Sequence, residues 1–390
     1  MWFLILLAAA ILLSLFVFAL LMARRKIHIW LPEYCRQAVG KRLGRSGVRG
    51  PEHVLFCLVD HFEPGWNRAD ISKQRDRVNG WVEKYPLIAR EFRDSDGCPP
   101  RHTWFYPPHY FSEEHILKLV SLCREGFGEM EMHLHHSRMV PFPDTSETLR
   151  RKILDCIDLY SRFGIFRTEI NGQPRFRYAF IHGDWALDNS RQAYCGVNDE
   201  ITILQETGCY ADFTFPSYMV ESQPGMVNSI YYAKDDPLKP KSYHRGTAVR
   251  VGGKDRGGLM MIQGPLGFRW KSGNRLWRPA VDDGEISLNN PPTPERVDFW
   301  IEMGIHVEGK PEWVVVKVFT HGAARAQQRV LLGEDIRRMH EHLVKKSSSG
   351  KYCLHYVTAR ELYNIIKAAE DGRSGNPGMF RDYELGPYAY

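Results

Sequence analysis

Residues 128–138 read "GEMEMHLHHSR", and this stretch gives the strongest indication of the fold. In a β-strand, successive side chains point to opposite faces of the sheet. One face of this stretch would then carry Glu129, Glu131, His133 and His135, and the other would carry Met130, Met132 and Leu134. Helices cover the outside of an α/β barrel, so we expect the apolar face to point outward and the polar face inward. An exposed edge strand gives the same alternation, although such strands more often use lysine, threonine and glutamate.

The rest of the chain repeats a unit in which a short apolar run ends in a polar residue and a helical pattern follows. Examples of these runs are "HVLFCLVDH" at 53–61, "YAFIHGD" at 178–184 and "WVVVKVFTHG" at 313–322. Strands that alternate with helices indicate a parallel sheet. Seven or eight such units predict a closed or nearly closed (β/α) barrel over residues 53–372, followed by an irregular tail over 373–390.

The N-terminal segment is strongly apolar. Residues 2–22, "WFLILLAAAILLSLFVFALLM", contain one polar side chain, Ser14. This length suits a bilayer core, which needs about 20 apolar residues in a helix. A cleaved signal peptide is the alternative, but it requires a basic start, a shorter apolar core and a small-residue cleavage site. No basic residue precedes the segment and "ARRK" follows it, so we predict an uncleaved transmembrane anchor over residues 1–22.

The net charge of +6 is concentrated just after the apolar segment. The basic residues of that region are Arg24, Arg25, Lys26, Arg36, Lys41, Arg42, Arg45 and Arg49. A nucleic-acid surface would place lysine and arginine along a folded face, so no nucleic-acid partner is predicted. We interpret residues 23–52 as a basic linker beside the membrane. The positive-inside rule then predicts a single-pass membrane protein with its body in the cytoplasm, and a periplasmic body is the alternative.

The overall composition, 43% hydrophobic and 25% charged, is that of a globular chain. The eight cysteines are scattered and include no C-x-x-C pair. Their spacing resembles neither a disulfide scaffold nor a zinc knuckle. This pattern fits a reducing compartment.

Titratable side chains follow several of the predicted strands. They are Asp60, His61 and Glu63 after the first strand, His182, Asp184 and Asn189 after the fourth, and His321 after a late one. Polar residues at the carboxyl ends of barrel strands are usually catalytic. Any one of them alone could be a turn residue or a helix cap, a role that aspartate fills readily. Because several separate strands end in this way, we predict one shared site.

The histidines near residue 135 form a candidate metal site. His133 and His135 share a face and His136 is adjacent, so their imidazoles can converge on one divalent ion. Histidines that are simply buried and hydrogen-bonded in a core are the alternative. Trp66 and Trp185 lie in Gly-rich or polar loops, where a flat apolar ring suits the face of a sugar.

With these motifs in order and spacing, the chain resembles the polysaccharide deacetylase (carbohydrate esterase) superfamily over roughly residues 53–372, as a diverged, membrane-anchored bacterial subgroup. The resemblance implies a distorted barrel of about seven β/α units, hydrolysis with a bound metal and, for this subgroup, a place in a bacterial inner membrane. The family's first strand ends in two aspartates, a catalytic base and a metal ligand. Here "LVDH" stands at that place, which implies Asp60 as the base and His61 as a ligand. "EMEMHLHH" is similar to the family's metal-binding strand and implies that its three histidines are ligands.

The remaining roles also follow from the resemblance. The late strand ends in His321, which would be the general acid, and "FIHGDWALDNS" at 180–190 would be the substrate loop. With Trp66 added from the aromatic pattern, the substrate-binding residues are then His182, Asp184, Trp185, Asn189 and Trp66. The sequence departs from the family at two places. A histidine replaces the aspartate at position 61, and the family's second histidine is missing, since Ser137 and Met139 stand in that region.

This interpretation predicts a metal-dependent hydrolase that removes an N- or O-linked acyl group from a saccharide or a lipid-linked saccharide, with zinc as the divalent ion. Asp60 would take a proton from the activated water, and His321 would give one to the leaving amine. One alternative is a glycosidase that uses the pair Asp60 and Glu63 or the pair Glu129 and Glu131, although such enzymes usually need no metal. Another alternative is a non-catalytic saccharide-binding or scaffold protein on the same barrel.

Overall fold

The alternation of strands and helices continues along most of the folded chain. The computed structural model describes residues 2–44, 52–254, 257–271 and 278–390. The strands are β1 (His53–His61), β2 (His102–Tyr106), β3 (Gly128–Leu134), β4 (Arg167–Ile170), β5 (Gln173–Phe176), β6 (Tyr178–His182), β7 (Cys209–Asp212), β8 (Ile230–Ala233), β9 (Thr247–Ala248), β10 (Leu259–Ile262), β11 (Gly267–Lys271), β12 (Arg278–Asp282), β13 (Glu285–Ile286), β14 (Trp313–Thr320) and β15 (Cys353–Tyr356). The helices are α1 (Trp2–Arg24), α2 (Ile27–Gly44), α3 (Ile71–Ala89), α4 (Glu113–Arg124), α5 (Ser146–Ser161), α6 (Glu200–Glu206), α7 (Pro294–Glu302), α8 (Arg325–Leu331), α9 (Glu334–Ser348) and α10 (Ala359–Glu370).

Eight strands run parallel in one sheet, in the order β13, β14, β1, β2, β3, β6, β7 and β10. Strand β15 pairs with the first half of β1, next to the place where β2 begins. Strands β8 and β9 continue the sheet beyond β10 in antiparallel pairing. The predicted α/β class with a large, mostly parallel sheet is therefore confirmed.

Closure of this sheet into a barrel is not confirmed. Among the described strands, no pairing joins β13 at one edge to β9 at the other. Both edge strands are two residues long, so each offers little backbone for a closing ladder. The described strands therefore form an open, barrel-like sheet, in which eight neighbouring strands are parallel without interruption.

Strand β3 separates its side chains as the alternation predicted. Met130, Met132 and Leu134 lie in the core between the sheet and the outer helices, together with Trp81 of α3. The opposite face is covered by α10, whose Leu362 belongs to a second core. Helix α10 packs near the amino-terminal ends of the strands, which leaves the inner face free at their carboxyl ends.

Helix α1 contains the stretch Ile5–Arg24, which is long and apolar enough to cross a membrane by its length and composition. A membrane span and a signal sequence both meet this criterion.

Helix α2 occupies part of the segment that the sequence predicted as a linker. Its Trp30 is buried in a small core with Val227 and Leu266, which follow β7 and β10 in the chain. The ring of Trp30 also lies 5.3 Å from that of Phe268. Residues 27–44 are therefore helical, and their apolar side chains hold the helix on the domain.

The last residues of the chain, 373–390, are irregular apart from one short 3₁₀ helix at Pro377–Phe380, and they pack against the folded domain. Tyr388 is buried, and its hydroxyl donates to Glu131 at 2.8 Å. The hydroxyl of Tyr390 accepts from the N–H of Met130 at 2.9 Å. The tail thus satisfies polar groups of β3 and belongs to the folded domain.

Arg360 links α10 to the sheet through a buried ion pair. Its Nε and Nη2 donate to Oε1 of Glu129 in β3 at 2.9 and 2.8 Å. Its Nη1 donates to the carbonyl oxygen of Leu385 at 2.6 Å. The hydroxyl of Thr358 donates to the other oxygen of Glu129 at 2.7 Å. Both charges are buried, so each one lowers the free-energy cost of burying the other.

Replacing Arg360 by methionine is expected to lower the free energy of unfolding by about 3–5 kcal/mol, because Glu129 is left as an uncompensated buried charge. The matched control is Arg151→Met, which removes an exposed ion pair with Glu147 worth about 0–1 kcal/mol. Urea denaturation of the purified chain in detergent, followed by tryptophan fluorescence, measures both. Equal losses in the two variants would contradict this account of the α10 contact.

Candidate metal centre and adjoining cavity

Three side chains converge at the carboxyl ends of β1 and β3. Glu63 follows β1, His133 lies in β3 and His135 follows it. Nε2 of His135 lies 3.0 Å from Nε2 of His133 and 3.0 Å from Oε1 of Glu63. All three side chains are buried, and one ligand atom from each lies within 4.8 Å of the others. We call these three residues the open cluster, because one side of it borders a cavity.

Each histidine of the open cluster has its second ring nitrogen held by another group. Nδ1 of His133 lies 2.9 Å from the carbonyl oxygen of Ile181, which can only accept, so this nitrogen donates. Nδ1 of His135 lies 2.9 Å from Oδ2 of Asp184. In both rings, Nε2 is therefore the nitrogen directed to the cluster. Histidines that ligate metals usually have their other nitrogen held in this way.

Burial and neighbouring charges set the protonation of the open cluster. Burial lowers the pKa of His133 well below its usual value, and the neighbouring His135 adds to the effect. Burial opposes the charged form of His135, but the hydrogen bond to Asp184 and the close carboxylate of Glu63 outweigh it and raise the pKa of His135. Burial also opposes ionisation of Glu63, yet its contact with His135 leaves the pKa of Glu63 lowered. His133 and Glu63 are thus held in the neutral and ionised forms in which these groups ligate a metal, whereas His135 would release its proton when a metal binds.

The backbone at residue 183 allows this arrangement to form. A β-carbon at Gly183 would lie 2.3 Å from the ring of His135, so a side chain does not fit there. The next residue, Asp184, has φ 57°, in the left-handed region. The turn after β6 thus brings a carboxylate to His135 through a close approach that glycine permits.

A cavity of about 270 Å³ adjoins the open cluster. Its lining includes His61, Glu63, Trp66, Trp185, Glu285 and His321. Trp66 is 41% exposed, so part of its ring is accessible to a ligand. The structure therefore brings the predicted residues His61, His321, Trp66 and Trp185 together at the carboxyl ends of the strands.

His61 and His321 lie next to each other beside the open cluster. Their ring centroids are 4.6 Å apart, and the ring of His61 is 5.1 Å from that of His133. Burial, together with the neighbouring His321 and His133, lowers the pKa of His61 well below its usual value. The sequence predicted His61 as a metal ligand. In the structure it adjoins the three converging residues as a neutral imidazole that can accept a proton.

Asp60, the predicted base, lies on the other face of β1. Successive residues of a strand alternate, so Asp60 points toward helix α3 where His61 points inward. Its Oδ2 lies 3.0 Å from Nε2 of His102, and its Oδ1 accepts the N–H of Gly322 at 2.6 Å. Both Asp60 and His102 are fully buried. This placement does not support a role as base. Asp60 instead fixes the residue that follows His321.

His136 and His182 belong to a separate group. His136 follows His135 directly and points to the other side of β3. It lies with His182, Cys195 and Glu200 in a buried set that we call the closed cluster. The four histidines predicted as ligands are thus divided among the open cluster, the closed cluster and the cavity wall.

Several residues of these groups were not identified from the sequence. The sequence placed Glu63 among the strand-end residues of the shared site and named it as a possible glycosidase carboxylate, but it did not identify Glu63 as a metal ligand. Cys195 and Glu200 come from a loop and a helix start, where no spacing rule indicated them. Asn189 was predicted to bind substrate. In the structure, its side-chain amide donates to Oδ1 of Asn198 in the same loop at 2.6 Å.

The carboxylate pairs expected of a glycosidase do not meet at the cavity. Glu129 is paired with Arg360 at the amino-terminal end of β3. Glu131 is buried next to it on the same face, where burial raises its pKa to about 8. Asp60 points away from Glu63, as described above. The two pairs named from the sequence are therefore not available to a ligand in the cavity.

The donor atoms of the open cluster fit zinc. Two imidazoles and one carboxylate form a ligand set of catalytic zinc sites, which leave a fourth position for water or substrate. Oε1 of Glu63 has no well-aligned hydrogen-bond partner in the described part of the chain, although Nε2 of His135 is near it. A cation bound between Glu63 and the two histidines would satisfy this oxygen.

The chain is distantly similar to solved structures of other proteins. No model of a known protein family matches the sequence, and no curated protein matches it. It is similar to a 4-α-glucanotransferase from Thermococcus litoralis, with a TM-score of 0.39 and 10% identity, over 79% of this chain and 39% of that one. It is also similar to a protein from Parabacteroides distasonis described as a glycoside hydrolase/deacetylase, with a TM-score of 0.43 and 11% identity, over 87% of this chain and 77% of that one.

Removing the carboxylate behind His135 is expected to weaken metal binding at the open cluster. Asp184→Ala should raise the Kd of the divalent ion about 10–100-fold, since groups that hold a ligating histidine typically contribute by that factor. The matched control is Asn189→Ala in the same loop, which should leave the Kd unchanged. Competition with a chelating dye measures both variants. An unchanged Kd in Asp184→Ala would contradict the assignment of His135 as a ligand held by Asp184.

Proposed function

We propose that the chain is a metal-dependent hydrolase that removes an acyl group from a saccharide. The observation that carries this proposal is the open cluster, whose three ligand atoms converge beside a cavity that Glu63 lines. Three protein ligands beside an open position are typical of a catalytic metal site. The acyl group as the target is supported by the similarity of "LVDH" and "EMEMHLHH" to the deacetylase motifs.

The chemistry assigns separate tasks to the cavity residues. Glu63, His133 and His135 would hold the ion. When bound, such an ion supplies Lewis-acid polarisation of a carbonyl and lowers the pKa of water from about 15.7 toward about 7. His61, which is kept neutral by burial, would accept a proton from the attacking water. His321 would give a proton to the leaving amine or alcohol.

Two indole rings support a saccharide as the substrate. The ring of Trp185 lies 6.0 Å from that of His61 and 5.9 Å from that of His321. Its indole N–H is buried and has no hydrogen-bond partner among the described residues. This N–H can donate to a sugar hydroxyl, and the accessible ring of Trp66 can contact the apolar face of a sugar.

The position of α2 supports a lipid-linked form of that saccharide. Trp30 of α2 packs on residues that follow the carboxyl ends of β7 and β10. The cavity lies at the carboxyl ends of β1, β6 and β14, and all these strands are parallel. The cavity and α2, the helix that follows α1, therefore both lie at the carboxyl ends of the parallel strands. A membrane crossed by α1 would lie near these strand ends, and the basic residues after α1 favour the cytoplasmic leaflet.

The direct test is acetate release from N- and O-acetylated saccharides, free and lipid-linked, by the full-length chain in detergent. Activity should disappear with a chelator and return with zinc, and His133→Ala should be inactive. His321→Gln should keep its metal and lose about 10²–10⁴-fold in kcat, which is the usual contribution of general acid–base catalysis. The matched control is His306→Gln, since His306 hydrogen-bonds to the carbonyl of Gly304 instead of lining the cavity.

Other outcomes would identify the alternatives. Glycoside cleavage that survives complete metal removal would contradict the proposal and favour Glu63 with Glu285, the second carboxylate in the cavity. Saccharide binding without hydrolysis, unchanged in His133→Ala, would favour a non-catalytic binding protein.

Substitutions of Asp60 separate a positioning role from a role as base. Asp60→Asn keeps an oxygen that can accept the N–H of Gly322, so kcat should stay within a few-fold of the parental value. Asp60→Ala frees the residue after His321 and should lower kcat about 10²-fold through misplacement. If Asp60 were the base, Asp60→Asn would itself lose about 10²–10⁴-fold. Metal content, measured in parallel, should be the same in both variants.

A further inference from the structure

A second group of ligand atoms lies behind the open cluster. In the closed cluster of His136, His182, Cys195 and Glu200, one ligand atom from each residue lies within 4.8 Å of the others. Oε1 of Glu200 lies 3.1 Å from Nε2 of His136 and 3.5 Å from Nε2 of His182. Sγ of Cys195 lies 3.5 Å from Oε2 of the same carboxylate. All four side chains are fully buried.

These atoms lack the hydrogen bonds that buried polar groups usually make. Within the part of the chain that the structure describes, no hydrogen-bond partner exists for either ring nitrogen of His136, for Nε2 of His182 or for Oε1 of Glu200. The two short distances from Oε1 of Glu200 to the imidazoles join atoms that are not aligned for hydrogen bonding, whereas the thiol of Cys195 donates to Oε2 of the same carboxylate. Nδ1 of His182 is already used, since it donates to the carbonyl oxygen of Gly183 at 2.5 Å. Buried polar atoms are nearly always paired, and three of these unpaired atoms, on His136, His182 and Glu200, face one another, which points to a bound ligand between them.

A carboxylate also lies near the outer nitrogen of one of these rings, although the two atoms are not aligned for a hydrogen bond. Oδ2 of Asp144 lies 3.3 Å from Nδ1 of His136, and Oδ1 of Asp144 lies 2.8 Å from Nζ of Lys152. This carboxylate is therefore already neutralised by a lysine and sits on the far side of the imidazole. A histidine between a carboxylate and a cation is the arrangement common in metal sites.

We propose that the closed cluster binds a second divalent ion, zinc, in a structural role. Two imidazoles, a thiolate and a carboxylate are the ligand types that zinc uses, and structural zinc sites are closed by four protein ligands. The open cluster differs in both respects, since it supplies three ligands and borders a cavity. This second site goes beyond the proposed reaction and does not depend on it.

The second ion would tie together the ends of β3 and β6, the loop that contains Cys195 and the first turn of α6. His135 is adjacent to His136 in the chain and Asp184 is two residues from His182; His135 belongs to the open cluster, and Asp184 holds it there. The structural ion would therefore fix the two backbone segments that position the first one.

Cobalt(II) replacement in the full-length chain in detergent tests this second site. A thiolate bound to cobalt gives a charge-transfer absorption band, and the open cluster contains no sulfur, so this band reports the closed cluster. We expect two ions per chain by elemental analysis, together with the band. Cys195→Ser should lose the band and one ion. Cys156→Ser, equally buried in α5, should keep both.

Each of the other results would overturn a specific assignment. One ion per parental chain without the thiolate band would overturn the closed site and leave the open cluster in place. One ion with the band, unchanged in His133→Ala, would support the closed site and overturn the open cluster and the proposed function with it. Two ions with a band that persists in folded Cys195→Ser would overturn the closed site. The first readout uses the unmutated chain and so does not depend on whether a variant folds.

Discussion

The inward side chains of β3 need partners, and the rest of the domain is arranged to supply them. Burying an ionisable group without a partner is costly, and β3 buries several on one face. At its amino-terminal end, Glu129 is neutralised by Arg360 of α10. In the middle, Glu131 accepts hydrogen bonds from two tyrosine hydroxyls, one of them from the end of the chain. At the carboxyl end, His133 and His135 present their Nε2 atoms to each other, and a cation is the partner that suits this geometry.

The same alternation explains which site predictions the structure supports. It grouped His133 with His135 correctly, because they are two residues apart on one strand. Applied with equal strictness, it would also have separated Asp60 from His61 and His135 from His136, since adjacent residues of a strand face opposite sides. The family resemblance placed both members of each pair at one site. The predicted and observed positions of Asp60 and His136 therefore differ because each is one residue away from a residue that faces the cavity or the open cluster.

Other features could not be predicted from periodicity. Cys195 and Glu200 reach the closed cluster from a loop and a helix start, and a spacing rule describes only the element to which it applies. Closure of the sheet depends on whether its edge strands are long enough to pair, and both are two residues long. The position of α10 on the inner face is likewise a property of packing between distant segments, as is the contact of the C-terminal tail with Glu131.

The two clusters lie back to back because one backbone serves both. Consecutive residues His135 and His136 point to opposite sides, and His182 and Asp184 flank the tight turn at Gly183 in the same manner. A catalytic metal site must leave one position free, so it is held by fewer ligands than a structural site. With fewer protein ligands around the ion, neighbouring groups must hold those ligands in position. For the catalytic role proposed for the open cluster, the close approach at Gly183 and the four buried side chains of the closed cluster are placed to provide that rigidity.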